Sequence, residues 1–124
     1  MATRAQIGFY EKEPKTNKEI EKNHEALIYR HWDGNPESVL EDITPILKDF
    51  DKKRGLDDIE YASAWLVAKL KDDYTDIGIS KNLHGDIEYL YVIFNNKMNV
   101  YSVKTDWETD HQTFILEKRL SLNK

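Results

Sequence analysis

The sequence has 124 residues, the length of one ordinary domain, and its 40% hydrophobic and 11% aromatic residues supply a core and exclude intrinsic disorder. It contains no cysteine, which excludes disulfides, thiolate metal sites and a cysteine nucleophile. Because Asp and Glu outnumber Lys and Arg by 23 to 18, we expect no binding to DNA, long RNA or membranes, whereas a small anion needs only a few local cations.

The chain start is polar. Residues Met1 to Gln6 lack the apolar stretch of a signal peptide, and no apolar run approaches the roughly 18–20 residues of a membrane span. We therefore expect a single domain over residues 1–124 that resides in the cytoplasm.

Two short strands are predicted near the N-terminus. Ile7 and Phe9 mark the first by their alternation with other residues, and the second runs from about Ala26 to Trp32. The stretch between them, residues 11–23, is polar and carries Pro14, so it is predicted to be a mobile connection.

Two helices follow. The first carries a single apolar stripe between residues 39 and 50 and begins at a cap, either Asn35 or Ser38. Pro45 lies inside this stripe and lacks the amide that a helix interior needs. This predicts either a kink or a short helix followed by a restart capped by Thr44.

The second helix is predicted to open at the capping box formed by Asp57 and Glu60. Its body, residues 61–68, is apolar almost all the way round, and such a helix must be covered on more than one side. In a chain of this length the second cover is either the sheet with the first helix or another subunit.

The C-terminal part of the chain is predicted to be β. Its strongest signal is the run at residues 86–94, whose β-branched and aromatic residues suit a central strand covered on both faces. Around it we predict a short strand at 76–80, a hairpin turn at 95–97, a strand at 98–105 and a final strand or strand pair at 113–122. Without the short strand at 76–80 the order is ββααβββ, which indicates an α+β fold with a mainly antiparallel sheet and two consecutive helices.

The end of the second strand carries the first candidate site. Alternation along a strand places Arg30 and Trp32 on one face, and Tyr29, His31 and Asp33 on the other. Arginine is the preferred residue for donating paired hydrogen bonds to a phosphate, and tryptophan offers a flat surface on which a base can stack. Together they indicate a nucleotide site. The alternative is structural: a surface arginine beside an anchoring tryptophan, with the aspartate making a turn.

A His-x-Asp spacing occurs twice, at His31 and Asp33 and at His84 and Asp86. An imidazole and a carboxylate two residues apart on a strand share a face, so such a pair suits metal ligation or acid–base chemistry. Gly85 indicates a loop, which weakens this argument for the second pair. The alternative is a surface or capping role for each of them. Glycine-rich phosphate loops and the GxSxG and HExxH motifs are absent from the sequence.

Two blocks carry a resemblance to a known family. They run from Ile28 to Glu37 (IYRHWDGNPE) and from Leu83 to Val92 (LHGDIEYLYV), and the similarity extends over roughly Gln6 to Leu122. On these residues the sequence resembles small phage and prophage proteins of the first-described Thoeris anti-defence family.

The resemblance implies a sponge protein. Members of that family bind and sequester cyclic ADP-ribose isomers made by bacterial TIR-domain enzymes, without cleaving them, and some also trap cyclic oligonucleotides at separate sites. The resemblance further implies dimers that build hexamers, with ligand pockets between subunits. On this hypothesis we expect no catalytic residue, no metal and no cofactor.

The candidate ligand-binding residues have side chains that suit the pyrophosphate, riboses and adenine of such a ligand. They are Arg30, His31, Trp32, Asp33, Asn95, Asn96, Asn99 and Arg119. Two other hypotheses stay open. One is an enzyme that degrades a cyclic nucleotide with His31 and His84 as acid and base, and the other is an inhibitor that binds a partner protein through its aromatic surface.

Overall fold

The structure, a computed structural model, describes residues 3–122. It confirms the α+β class, the mainly antiparallel sheet and the two consecutive helices. In chain order the elements are β1 (Ala5–Tyr10), α1 (Asn17–Lys22), β2 (His24–Arg30), α2 (Pro36–Lys53), α3 (Ile59–Leu70), β3 (Ile77–Ile79), β4 (Tyr89–Phe94), β5 (Lys97–Asp106) and β6 (His111–Ser121). Within residues 3–122, no helix has the length and apolar character needed to cross a lipid bilayer.

All six of these strands form one sheet in the order β3-β2-β1-β4-β5-β6. Neighbouring strands are antiparallel except β1 and β4, which run parallel. The segment between β3 and β4 returns the chain to the end where β1 begins, and there the Glu88 amide donates to the Arg4 carbonyl oxygen at 2.8 Å. Residues Leu90 to Phe94 of β4 are buried between β1 and β5, which confirms the predicted central strand. The predicted hairpin to β5 turns at Asn95 and Asn96, whose φ values of 45° and 60° fit a type I′ turn.

One face of the sheet is covered by α2 and α3. α2 is a single helix that begins after Asn35 and continues through Pro45, so the predicted restart at Thr44 is wrong. Ile43 and Leu47, on either side of the proline, are fully buried in the core on this side of the sheet. Their packing keeps the helix continuous where one backbone hydrogen bond is missing.

α3 begins after Asp58, whose side chain makes no capping hydrogen bond, so the capping box predicted at Asp57 and Glu60 is wrong. The helix buries Ala62 and Leu66 against α2 and the sheet. On its other side Tyr61 and Trp65 are 58% and 38% exposed. The sheet and α2 therefore cover only one side of this apolar helix. Cover of the other side by a second subunit stays a prediction.

The opposite face of the sheet is partly covered by α1. The Thr16 hydroxyl caps this helix by accepting a hydrogen bond from the Glu19 amide at 3.1 Å. Ile20 is buried in a second apolar cluster, and its carbonyl oxygen accepts a hydrogen bond from the Tyr10 hydroxyl at 2.5 Å. Residues 11–23, predicted to be a mobile connection, therefore include a short helix that Ile20 anchors to the sheet.

Candidate functional site

Arg30 ends β2 with its guanidinium turned toward α2 and largely buried. Its Nη2 donates to Asp42 Oδ2 at 2.5 Å and its Nε donates to the Trp32 carbonyl oxygen at 2.9 Å. The cavity beside it has a volume of about 160 Å³ and is also lined by Asp33 and Asp76, so its walls are acidic and its size is small for a dinucleotide. These partners favour the structural interpretation of Arg30.

Asp33 lies on a different side from the one that alternation predicts. β2 ends at Arg30, and Asp33 adopts a φ of 55°, which is a turn conformation. It lines the small cavity with Arg30 and Trp32 instead of joining His31. The His31–Asp33 pairing predicted from strand alternation is therefore wrong, because the strand ends before these residues.

Tyr29 and His31 do lie together on the sheet face opposite α2, as predicted, with ring centroids 6.3 Å apart. The Tyr29 ring stacks on His84 at a centroid distance of 4.3 Å, and its hydroxyl donates to Asp86 Oδ2 at 3.0 Å. His84 Nδ1 is 3.8 Å from Asp86 Oδ1. The structure thus brings the second His-x-Asp pair to the first histidine, with Tyr29 between them.

Arg4 completes this cluster from the segment that precedes β1. Its Nε is 3.5 Å from His31 Nδ1 and 3.5 Å from Asp86 Oδ2, and its side chain is 38% exposed. Gly34 allows this position, because its amide donates to the Thr3 carbonyl oxygen at 2.9 Å and a Cβ at Gly34 would lie 2.7 Å from that oxygen. We call the five residues of this cluster the histidine patch: Arg4, Tyr29, His31, His84 and Asp86.

Two buried glutamines hold the loop that carries His84. The Gln6 Oε1 accepts a hydrogen bond from the His84 amide at 2.8 Å, and the Gln112 Nε2 donates to the His84 carbonyl oxygen at 2.9 Å. Thr105 Oγ1 also donates to the Gly85 carbonyl oxygen at 3.0 Å. Because these bonds fix the loop backbone, the His84 ring and Asp86 are held in place before any ligand arrives.

The surroundings of Tyr29, at the centre of the patch, keep its hydroxyl protonated and therefore a hydrogen-bond donor. Burial raises the pKa of Tyr29 to about 12, and the hydrogen bond to Asp86 and its negative charge act in the same direction, while Arg4 opposes them. The Tyr29 phenol therefore stays protonated at neutral pH. Of the charged groups of the patch, Arg4 supplies the permanent positive charge.

Exposed tryptophans flank the patch on two sides. Trp32 is 51% exposed and meets His31 edge-on, with ring centroids 4.5 Å apart at 90°. Trp107 is largely exposed and lies over Gly85, where a Cβ would be 3.6 Å from the indole. Each indole is partly exposed, Trp32 beside His31 and Trp107 beside the loop that carries His84 and Asp86.

Asn95 and Asn96 lie at the other end of the sheet, in the β4–β5 turn. They line a cavity of about 440 Å³ between this turn and the start of α3. Five carboxylate residues share that lining, namely Glu11, Glu25, Asp57, Asp58 and Glu60. Such a concentration of negative charge opposes a phosphate ligand.

Asn99 and Arg119 form a third group, together with Glu13. Asn99 is fully buried, its Oδ1 accepts from Arg119 Nε at 2.9 Å and its Nδ2 donates to Glu13 Oε2 at 2.9 Å. Arg119 also forms an ion pair with Glu13. The hydrogen bonds from Lys15 and then Asn99, with the charge of Arg119, lower the pKa of Glu13. This network ties the segment before α1 to β5 and β6.

The eight candidate residues thus separate into four places, namely the small cavity at Arg30, the histidine patch, the β4–β5 turn and the network around Glu13. Only His31 belongs to the histidine patch, with Trp32 at its rim. The patch members that the candidate list left out are Arg4, Tyr29, His84 and Asp86. One sequence signal pointed toward them: Gln6 is a polar residue within an otherwise apolar strand, and a buried amide there must bond to a neighbouring backbone. Its partner is the His84 loop.

Within residues 3–122, no group of three or more histidine and carboxylate side chains has a geometry that could hold a metal ion. No protein-family model matches the chain, and neither the curated proteins nor the solved structures contain a significant match to it. The functional assignment therefore depends on the geometry of the histidine patch.

Proposed function

We propose that this protein binds a cyclic nucleotide signal, such as a cyclic ADP-ribose isomer, in the bacterial cytoplasm and sequesters it without cleaving it. The observation that carries the proposal is the position of Arg4, whose partly exposed guanidinium lies between His31 and Asp86 with tryptophans beside the patch. Cation, aromatic surface and carboxylate are the groups that pyrophosphate, base and ribose hydroxyls require.

Each ligand group has a partner in this arrangement. Arg4 binds the pyrophosphate oxygens, and either imidazole adds a donor to them. Trp32 or Trp107 stacks on the adenine, since base–aromatic stacking is favourable and tolerant of sequence. Asp86 accepts hydrogen bonds from a ribose hydroxyl, and the Tyr29 hydroxyl holds that carboxylate in position.

Sequestration requires tight binding, and nanomolar affinity corresponds to about 12 kcal/mol. The amide-clamped His84 loop reduces the ordering cost of binding. The patch is open on its outer side, so we further propose that a neighbouring protomer encloses the ligand, in the dimers and hexamers that the resemblance implies. Binding of cyclic oligonucleotides at a separate site belongs to the same proposal.

The proposal is tested by ligand release. The protein is incubated with a cyclic ADP-ribose isomer, freed of unbound ligand by gel filtration and denatured by heat, and the supernatant is analysed by mass spectrometry. We expect one intact ligand species from the wild type and from Arg54→Ala, a control that removes an exposed arginine outside the patch. Arg4→Ala should release much less. Breakdown products, or no retained ligand, would contradict sequestration.

One observation favours a second candidate function, degradation of the cyclic nucleotide. His31 and His84 lie on two sides of Tyr29, and the His84–Asp86 pair resembles an imidazole oriented by a carboxylate. Under excess substrate, an enzyme would show sustained turnover that His31→Ala and His84→Ala abolish. A sequestering protein stops at stoichiometric uptake, and the same variants change only how much ligand is held.

A further inference from the structure

β6 is an edge strand of the sheet, and it is much longer than the other edge strand. It spans 11 residues, whereas the strand at the other edge, β3, has only three. Proteins protect exposed edges with short strands, charges, prolines or bulges, because an unpaired edge can pair with another chain. β3 follows the first of these rules, while β6 carries the consecutive residues Phe114, Ile115 and Leu116, of which Ile115 and Leu116 are 41% and 47% exposed.

The pairing of β5 shows which backbone groups of β6 point outward. The Val103 amide donates to the Glu88 carbonyl oxygen at 2.9 Å, so the Val103 backbone faces the β4 side. In an antiparallel sheet the residues on either side of it then face β6, and Ser102 is opposite Ile115. The N–H and C=O groups of Phe114 and Leu116 therefore point away from β5.

This outward stretch has two boundaries. At one end the Gln112 carbonyl oxygen accepts a hydrogen bond from Asn17 of α1 at 3.1 Å. At the other end a bulge leaves Glu117 without a partner in β5, and regular pairing is interrupted there. In residues 3–122 no strand pairs with β6 from outside, so the uncovered edge extends over Thr113 to Leu116.

We propose that this edge pairs with the same edge of a second copy of the chain, antiparallel about a two-fold axis at Ile115. In that register Phe114 of each copy is opposite Leu116 of the other, so the outward backbone groups form about four hydrogen bonds. Ile115 faces Ile115 of the second copy, and every exposed apolar side chain of the edge meets another apolar side chain. The self-complementary sequence is what selects a second copy as the partner.

This register makes a sharp prediction because the chain has no cysteine. In Ile115→Cys the two thiols occupy directly opposite positions, with Cα atoms about 4.5–5.5 Å apart, which a disulfide can bridge. Thr113→Cys is the matched control, since its two copies would be offset by four residues, about 13 Å, and cannot be bridged.

Each protein is oxidised mildly and examined on non-reducing gels. Cross-linking of Ile115→Cys, with little for Thr113→Cys, supports the register. Equal cross-linking of Thr113→Cys and Ile115→Cys would indicate random collision and overturn it. Absence of cross-linking in Ile115→Cys would overturn it as well, whether the wild type sediments as a monomer or as a dimer built through another surface.

A charge variant tests the same interface without disulfides. Ile115→Lys places two ammonium groups opposite each other and should raise the dimer dissociation constant at least about tenfold, measured by analytical ultracentrifugation. Ile79→Lys, at the exposed position of β3, is the control and should leave it unchanged. Equal effects of the two variants would contradict pairing through β6. These measurements use no nucleotide, so their outcome is separate from that of the ligand-release test.

Discussion

The end of β2 has different surroundings on the two faces of the sheet. On the helix side, Arg30 is buried and its guanidinium is occupied by Asp42 and the Trp32 carbonyl oxygen. On the other side, Arg4 is partly exposed and reaches His31 and Asp86 at the longer distance of 3.5 Å. The comparison teaches that an arginine in a recognisable sequence block can be structural, while the arginine that we propose as the ligand-binding one comes from a segment with no motif.

The largest expected effect concerns the helix side. Arg30→Met should lower the free energy of unfolding by about 2–3 kcal/mol, because it removes the buried partner of Asp42. Urea denaturation followed by circular dichroism measures this. Arg4→Met is the matched control and should change stability by less than about 0.5 kcal/mol. If the two variants unfold at the same urea concentration, the assignment of Arg30 to the framework is wrong.

The second prediction concerns ligand affinity, for which Arg4 should matter more than Arg30. Arg4→Met should weaken binding of a cyclic ADP-ribose isomer by about 10- to 100-fold, because charge-assisted hydrogen bonds contribute about 1.5–3 kcal/mol. Isothermal titration calorimetry measures the affinity. The folded fraction of Arg30→Met should bind with nearly wild-type affinity. The opposite ranking would move the phosphate site to the helix side of the sheet.

A third prediction compares the two ends of the sheet. Asn96 has a φ of 60° in the β4–β5 turn, so Asn96→Ala should cost about 1 kcal/mol of stability, and Asn96→Gly should cost little or nothing. Thermal unfolding distinguishes them. Both variants should keep the ligand affinity of the wild type. Five carboxylate residues surround this turn, and their negative charge opposes binding of a phosphate ligand there. A loss of affinity in Asn96→Gly would assign the ligand to the acidic cavity.

The smallest effect is a pH dependence. Folding raises the pKa of Tyr29 to about 12 from the ordinary tyrosine value of 10.0. The unfolded chain therefore loses this proton first, so the stabilisation is complete below pH 10 and is lost as the pH rises toward 12. Tyr29→Phe should reduce the fall in stability over this interval, measured as the urea midpoint against pH. The buried Tyr91, whose pKa is also raised, should keep a residual fall in the variant.

The local elements that could be predicted are those with a strong pattern of their own. The run at 86–94 is rich in β-branched and aromatic residues, and its part from Leu90 to Phe94 is buried in the central β4, although this strand begins only at Tyr89. α2 begins after Asn35 as its cap residue, with proline in its first turn. α1 was missed because residues 11–23 contain a single apolar residue, Ile20, and only its burial against the sheet makes a short helix stable there.

The candidate site was harder to predict, because it too depends on packing in the folded chain. Alternation correctly placed Tyr29 and His31 on one face, but it assumed that β2 continues to Asp33, and the strand ends at Arg30. Asn99 and Arg119 have side chains suited to a nucleotide, yet the fold uses both to hold Glu13. Side-chain chemistry shows what a residue can bind, and packing decides what it does bind.

By itself the sequence determined the class of the fold, the helices with strong periodicity, the hairpin turn and the absence of thiol chemistry, because each follows from neighbouring residues or from composition. The tertiary structure alone decided that β1 pairs in parallel with β4, that Gln6 and Gln112 hold the His84 loop, and that Arg4 meets His31 and Asp86. These contacts join residues far apart in the chain. Their partners are selected by burial and hydrogen-bond satisfaction in the folded core, which no local pattern specifies.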